Sequence, residues 1–187
     1  MNGVTFGNLE SSRPTQFVEE DVIDPTRIAV TVHYIISEAE AGKLGHVKLN
    51  RILWYADLEY YRWHGISITG LRQYTRTSMG PMYRDISRAV RWLAREGKVI
   101  ERTVRADCVR REMVSIAPPD VSFFTDEQIA ILTQATKVIA PLTAIQIWKM
   151  NSDDRLLQQV KNGEVMPVAT AALMTPPLAS MEPRQAA

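Results

Sequence analysis

Residues 48–64 constrain the fold more than any other stretch, because they combine a long amphipathic pattern with a clear stop. Their apolar side chains recur at steps of three and four residues, which predicts one buried helical stripe. The stripe consists of Ile52, Leu53, Ala56, Tyr60 and Trp63. Gly65 follows at once and predicts the end of the helix, since glycine adopts the left-handed conformation without a Cβ clash. We therefore expect a central helix, with Trp54 and Tyr55 lying off its buried stripe.

The segment after this helix predicts an extended stretch and then a tight turn. Residues 66–77 contain Ile68, Tyr74 and Thr75, which suit a strand, and Gly70 marks a bend. Residues 78–81 form the turn, and Pro81 is placed to begin the next helix, where a missing N–H costs nothing. That helix is expected to run to Glu96.

Two candidate strands follow, residues 98–105 and 110–116, whose partial alternation of apolar residues predicts a β-hairpin. Three helices and then a hairpin is the order of elements in a winged-helix unit. Residues 72–77 could pair with this hairpin as a third strand. The expected fold is thus mainly α with a small β-hairpin: a compact helical domain with a winged-helix-like helix–hairpin unit.

The ends of the other elements are marked by capping residues. Asp24 and Pro25 predict the start of a first helix that runs to about residue 41. Capping boxes predict two later helix starts. These boxes are Thr125 with Gln128, and Thr143 with Gln146.

The chain divides into a central domain and two ends. We expect a flexible arm over residues 1–23, a helical domain over residues 24–174 and a disordered tail over residues 175–187. Within the domain, residues 153–161 predict a helix and residues 165–174 a final turn or short helix.

Charge is unevenly distributed along the chain. The whole protein has a net charge of +1, yet residues 72–111 hold eleven Lys and Arg against four acids, a net of +7. A field of that sign attracts anionic partners and accelerates their association.

The composition offers little for catalysis or metal binding. A metal site needs several convergent ligands, and the three histidines and the single cysteine are widely separated. Two helical turns place Asp57 and His64 roughly 10 Å apart, too far for a direct hydrogen bond. We expect no enzyme activity, no cofactor and no metal. One cysteine excludes an internal disulfide and suits a reducing cytoplasm, and no apolar run reaches the roughly 18 residues that a membrane span needs.

The order of residues in the central stretch resembles a known family. The run Lys48-Leu49-Asn50-Arg51-Ile52-Leu53-Trp54-Tyr55-Ala56-Asp57, then Tyr61, Gly65, Gly70 and Gly80-Pro81, is similar to the Panacea domain, also called the SocA-like antitoxin domain. The resemblance covers about residues 27–174. It implies an antitoxin that neutralises a cognate toxin by direct binding, the toxin being encoded by the adjacent gene. One type of member delivers its toxin to a protease as an adaptor.

The resemblance has one gap. Members often carry Ser-His and then Trp near the C-terminal end, followed by a Gly-Glu-x-Ile-Pro segment. Residues 163–167 keep the second pattern, but residues 151–157 have Asp where His is expected and Leu where Trp is expected. A divergent branch with a different partner would account for this departure.

The hypothesised contact residues for a toxin come from the family motif and from the arginines after it. They are Tyr55, Asp57, Tyr61, Arg76, Gly80, Pro81, Tyr83, Arg84 and Arg88. Two alternatives stay open. A DNA-binding regulator would use Arg84, Arg88 and Arg91 on a recognition-like helix and the arginines of the hairpin as a wing, within residues 72–111. A proteolytic adaptor would need a segment that a protease can grip.

Overall fold

The structure, a computed structural model, describes residues 24–105 and 109–181. Helices in these ranges are α1 (Pro25–Glu38), α2 (His46–His64), α3 (Ile86–Arg95), α4 (Asp126–Ile139), α5 (Ala144–Asp153), α6 (Arg155–Gln159) and α7 (Val168–Met174). Strands are β1 (Gln73–Thr77), β2 (Gly80–Met82), β3 (Val99–Arg105), β4 (Val109–Ser115) and β5 (Val165–Pro167). The expectation of a mainly α protein with small β elements is confirmed.

Helix α2 is the centre of the core. Its residues 49–58 are all buried, because α1, α4, α7 and β2 pack around it on several sides. Trp54 and Tyr55 are therefore 0% and 1% exposed, and the expectation that they lie outside the buried surface is wrong. Trp63 is also mispredicted, because it is 77% exposed in the last turn of α2.

Four of the predicted helix ends are confirmed, whereas α1 ends at Glu38 rather than at about residue 41. The Asp24 carboxylate accepts a hydrogen bond from the N–H of Thr26, and Pro25 is the first residue of α1. Gly65 ends α2 in the left-handed conformation with φ of 68°. Both capping boxes are present, at the starts of α4 and α5. Such caps depend on two to four neighbouring residues, and tertiary packing does not override them.

The segment around Pro81 differs from the prediction. Pro81 does not begin a helix; it lies in β2 and pairs with Arg76 of β1, while α3 begins at Ile86. Strand β2 is at the edge of a three-stranded antiparallel sheet of order β2-β1-β5. Proline is tolerated in an edge strand, because its missing N–H faces away from the ladder.

The β3–β4 hairpin is confirmed, with Thr103 opposite Arg111. Strand β1 does not join it as a third strand. It pairs instead with β5, where Tyr74 is opposite Met166. The residues of β5 were expected to start a turn or short helix, and only α7, after them, is helical.

The expected disorder from residue 175 is wrong for residues 175–181. Leu178 is 1% exposed and begins a 3-10 turn, Leu178–Met181. Arg62 of α2 donates hydrogen bonds to the carbonyls of Ala172 and Thr175, which holds this segment against the core. The predicted flexible arm, residues 1–23, the last residues 182–187 and Cys108 lie outside the described residues.

Within the described ranges, no single helix has the length and apolar character needed to cross a membrane. Helices α4 and α5 satisfy the length and composition together, but the chain bends by 111° between them.

Candidate functional site

Two depressions lie on either side of the turn between β1 and β2, and Ser78 of that turn contributes to both. The groove, with a volume of about 680 Å³, is formed by residues 42–48, the turn residues 78–79, residues 111–112 and parts of residues 141–151. The cleft, of about 440 Å³, is formed by residue 50, residues 75–78, 82–84 and 87, and residues 162–163. Together they are called the turn surface below.

The groove carries large exposed apolar side chains. Met79 is 52% exposed on the turn, and Trp148 of α5 is 67% exposed on the facing wall. Ile147 and Leu44 are buried beneath them. Arg111 also lines the groove and is exposed. An exposed aromatic ring and a methionine over an apolar floor, beside an arginine, form the kind of surface that is enriched in protein–protein interfaces.

The cleft is more polar than the groove, and it is lined by two arginines and no acidic residue. It brings together Arg76, Tyr83 and Arg84, which were all predicted as contact residues. Arg76 is held in place, because its guanidinium donates hydrogen bonds to the carbonyls of Leu157, at 3.2 Å, and Thr77. The main-chain N–H of Tyr83 donates a hydrogen bond to Oδ1 of Asn50, at 2.9 Å. Partial burial raises the pKa of Tyr83, and the neighbouring Asp85 raises it further.

A buried arginine lies beneath the turn. Arg51 of α2 is 1% exposed, and its guanidinium contacts Gly80 and lies 5.9 Å from the centre of the Tyr55 ring. Neither terminal nitrogen of Arg51 has a hydrogen-bond partner among the described residues. Burial lowers the pKa of Arg51, while Tyr55 and then Asp154 oppose that shift. Asn151 also holds the turn, since its side-chain N–H donates to the carbonyl of Met79.

Asp57 anchors the chain segment that leads into β1. Its carboxylate accepts hydrogen bonds from the N–H and hydroxyl of Thr69 and from the hydroxyl of Tyr74, at 2.7 Å. Asp57 is 0% exposed, and burial raises its pKa to about 6, although these hydrogen bonds favour the charged form. The ring of Tyr74 also packs edge-on against Trp54. The network is structural: it ties α2 to the loop and to β1.

Besides Arg88, five of the predicted contact residues line neither the groove nor the cleft. Tyr55 and Asp57 are buried and cannot touch a partner, so they are wrong as contact residues; they support the turn from inside. Gly80 and Pro81 are buried at the start of β2, directly after the turn. Tyr61 is half-buried and lines neither depression.

The predicted arginines just before α3 and in its first turn reach the surface. Arg84 and Arg88 are both exposed, and only Arg84 lines the cleft. Arg88 lies one helical turn farther along, 3.6 Å from Asp85.

Sequence reasoning missed four residues that form or support the turn surface: Arg51, Met79, Trp148 and Asn151. Arg51 belongs to the motif but carries no signal of burial, because an arginine in a helix is ordinarily exposed. Trp148 comes next to a strong helix start, and only the tertiary position of α5 places it across from the turn. Asn151 opens the segment that departs from the family pattern.

No group of three or more His, Cys, Asp or Glu in the described ranges could hold a metal ion. Comparison of the chain with models of known protein families, with curated proteins and with solved structures finds no match.

Proposed function

We propose that this chain is an antitoxin that neutralises a cognate toxin protein by direct contact through the turn surface. The observation that carries the proposal is that exposed Met79 and exposed Trp148 line the same groove, beside a cleft that presents Arg84. Binding energy at protein interfaces concentrates in a few such aromatic and arginine side chains at the centre of a patch.

The resemblance to the Panacea domain supports the same surface. Its recurring marks are the run from Lys48 to Asp57 and the Gly80-Pro81 pair, and these are far apart in sequence. In this structure Arg51, Tyr55 and Asp57 lie beneath the turn or anchor β1, and Gly80 and Pro81 begin β2 directly after the turn. The motif would thus hold the turn in a fixed shape, and the variable residues on either side of it would contact the toxin. Such an arrangement would let related chains bind unrelated toxins.

Neutralisation by this mechanism requires no chemistry from the antitoxin and no cofactor. The toxin's own active or binding site would be covered, and the complex would form in the cytoplasm where the toxin acts. We also propose that α3 and the β3–β4 hairpin, which are consecutive in the chain and packed together, form a winged-helix-like unit.

Co-expression with the adjacent open reading frame, scored for growth and for co-purification, tests the proposal. We expect the neighbouring protein alone to stop growth, and this chain to restore growth and co-purify with it. Growth restored without a stable complex would favour a proteolytic adaptor or a transcriptional mechanism over sequestration. A harmless neighbour would remove the antitoxin assignment.

A further inference from the structure

Helix α3 presents a row of arginines that the turn surface does not use. Arg88, Arg91 and Arg95 recur at steps of three and four residues and are all exposed, while Ile86, Ala89, Val90 and Leu93 are buried on the other side of the helix. A rise of 1.5 Å per residue spreads the three arginines over about 10 Å along the helix axis. These three residues are called the α3 arginine face.

These arginines are little used by the fold. The side chains of Arg91 and Arg95 form no hydrogen bond or ion pair with any residue in the described ranges. Arg88 has an ion pair with Asp85 at 3.6 Å, and both side chains are exposed, so the pair contributes little to stability. Arg95 lies in the last turn of α3, where its positive charge interacts favourably with the helix dipole. This role does not involve Arg88 or Arg91.

The positive surface continues beyond α3. Strand β3, which packs against α3, carries Arg102 and Arg105, and both are exposed. Arg102 pairs with the buried Glu112. Arg105 lies three residues farther along the strand, and because side chains alternate along a strand it points to the opposite face of the hairpin. Over residues 84–105 the chain holds seven Lys and Arg against three acids.

We propose that the α3 arginine face binds the phosphate backbone of a nucleic-acid duplex. A duplex carries one negative charge per about 1.7 Å of its axis, and each phosphate neutralised by an arginine releases condensed counterions. The face matches such a partner because it offers charge at regular spacing and almost no apolar surface. Its one aromatic residue, Trp92, is 39% exposed and is approached by the ammonium group of Lys98, 5.5 Å from the ring centre.

The residue composition of the α3 arginine face differs from that of the groove, and this difference favours a nucleic acid over a second protein as the partner of α3. Cores of protein interfaces are depleted of charge and enriched in aromatic residues and methionine, which describes Met79 and Trp148 rather than α3. The inference goes beyond the proposed toxin binding and does not depend on it, because Arg91 and Arg95 line neither the groove nor the cleft.

The test measures duplex binding as a function of salt. A fluorescently labelled DNA duplex of about 24 base pairs and mixed sequence is titrated with the full chain between 50 and 200 mM KCl, and anisotropy gives the dissociation constant. Three phosphate contacts predict that affinity falls about 40-fold over this range, since the slope of log K against log salt is about −0.9 per contact. For the double variant Arg91→Gln/Arg95→Gln, the slope of log K against log salt should be less steep by about 1.8.

The matched control is Lys137→Gln/Arg155→Gln, which removes the same charge from two other exposed positions. It should keep the wild-type slope. Thermal unfolding checks that both variants are folded. Equal losses in the two variants would mean that only net charge matters and would overturn the proposal. No duplex binding at 50 mM KCl, tighter binding to a single strand of the same length, or tighter binding to polyglutamate of matched charge would overturn it as well.

Discussion

The guanidinium of Arg51 lies directly against Gly80: a β-carbon at position 80 would fall 3.0 Å from Cζ of Arg51 and closer still to Nη2. Gly80 also has a φ of +106°, which side chains rarely adopt. The turn between the groove and the cleft therefore depends on a residue without a side chain.

Gly80→Ala should destabilise the protein by about 2–4 kcal/mol, because it adds an overpacked contact to an unfavourable backbone conformation. Gly97→Ala is the matched control. Gly97 also has a positive φ, 68°, but a β-carbon there would meet nothing within 4 Å. It should cost only about 1–2 kcal/mol. Urea unfolding of the two variants measures the difference, and equal losses would show that Arg51 does not press on the turn.

The pH dependence of stability should report the buried carboxyl of Asp57. Its pKa is raised from 3.8 to about 6 in the folded protein, so the folded state holds this proton more tightly than the unfolded state. The resulting contribution is fully present below about pH 4 and is lost as pH rises through about 6, a change of about 3 kcal/mol.

Comparison with Asp57→Asn isolates this group from the other titrating residues. The free energy of unfolding of the wild type should fall relative to that of the variant between pH 4 and 6.5, and should run parallel to it above that range. A constant difference across the whole range would contradict a raised pKa for Asp57.

The parts of this fold that sequence reasoning reached are those that neighbouring residues determine. Gly65 ends α2 and Thr125 begins α4 through contacts within one helical turn, so their patterns are sufficient. Pro81 shows the limit: the first turn of a helix and an edge strand both tolerate proline, and only the pairing of β2 with β1 distinguishes them.

The candidate site was predictable only in part, because it is assembled from distant segments. Arg76, Tyr83 and Arg84 are close in sequence and share the cleft. Trp148 and Met79 line the same groove although about 70 residues of chain separate them, and no local pattern relates them. Tyr55 was placed on the surface because one buried stripe was assumed for α2, whereas packing on several sides buries almost the whole helix.

Binding of the toxin in the groove should depend on Trp148. Trp148→Ala is expected to weaken binding of the co-purified toxin by at least tenfold, as truncation of a central aromatic residue costs more than about 1–2 kcal/mol. Trp63→Ala is the matched control, since Trp63 is similarly exposed, at 77%, and lies outside both depressions. Isothermal titration calorimetry measures both. Equal effects of the two substitutions would remove the groove from the toxin-binding site.

Charge reversal at Arg84 in the cleft and at Arg88, one helical turn beyond it, should slow toxin binding without unfolding the chain. Arg84 and Arg88 are exposed, so Arg84→Glu/Arg88→Glu should leave the unfolding temperature close to that of the wild type. The association rate should fall about tenfold at low salt, because arginines at the edge of an interface attract an acidic partner.

Arg91→Glu/Arg95→Glu makes the same change in net charge one to two turns farther along α3 and should slow association much less. Biolayer interferometry at 50 and 300 mM salt compares the variants. Wild-type rescue of growth by a folded Arg84→Glu/Arg88→Glu chain would exclude both arginines from the site. A similar slowing by the two double variants would mean that the toxin responds to the overall field of the chain rather than to the cleft.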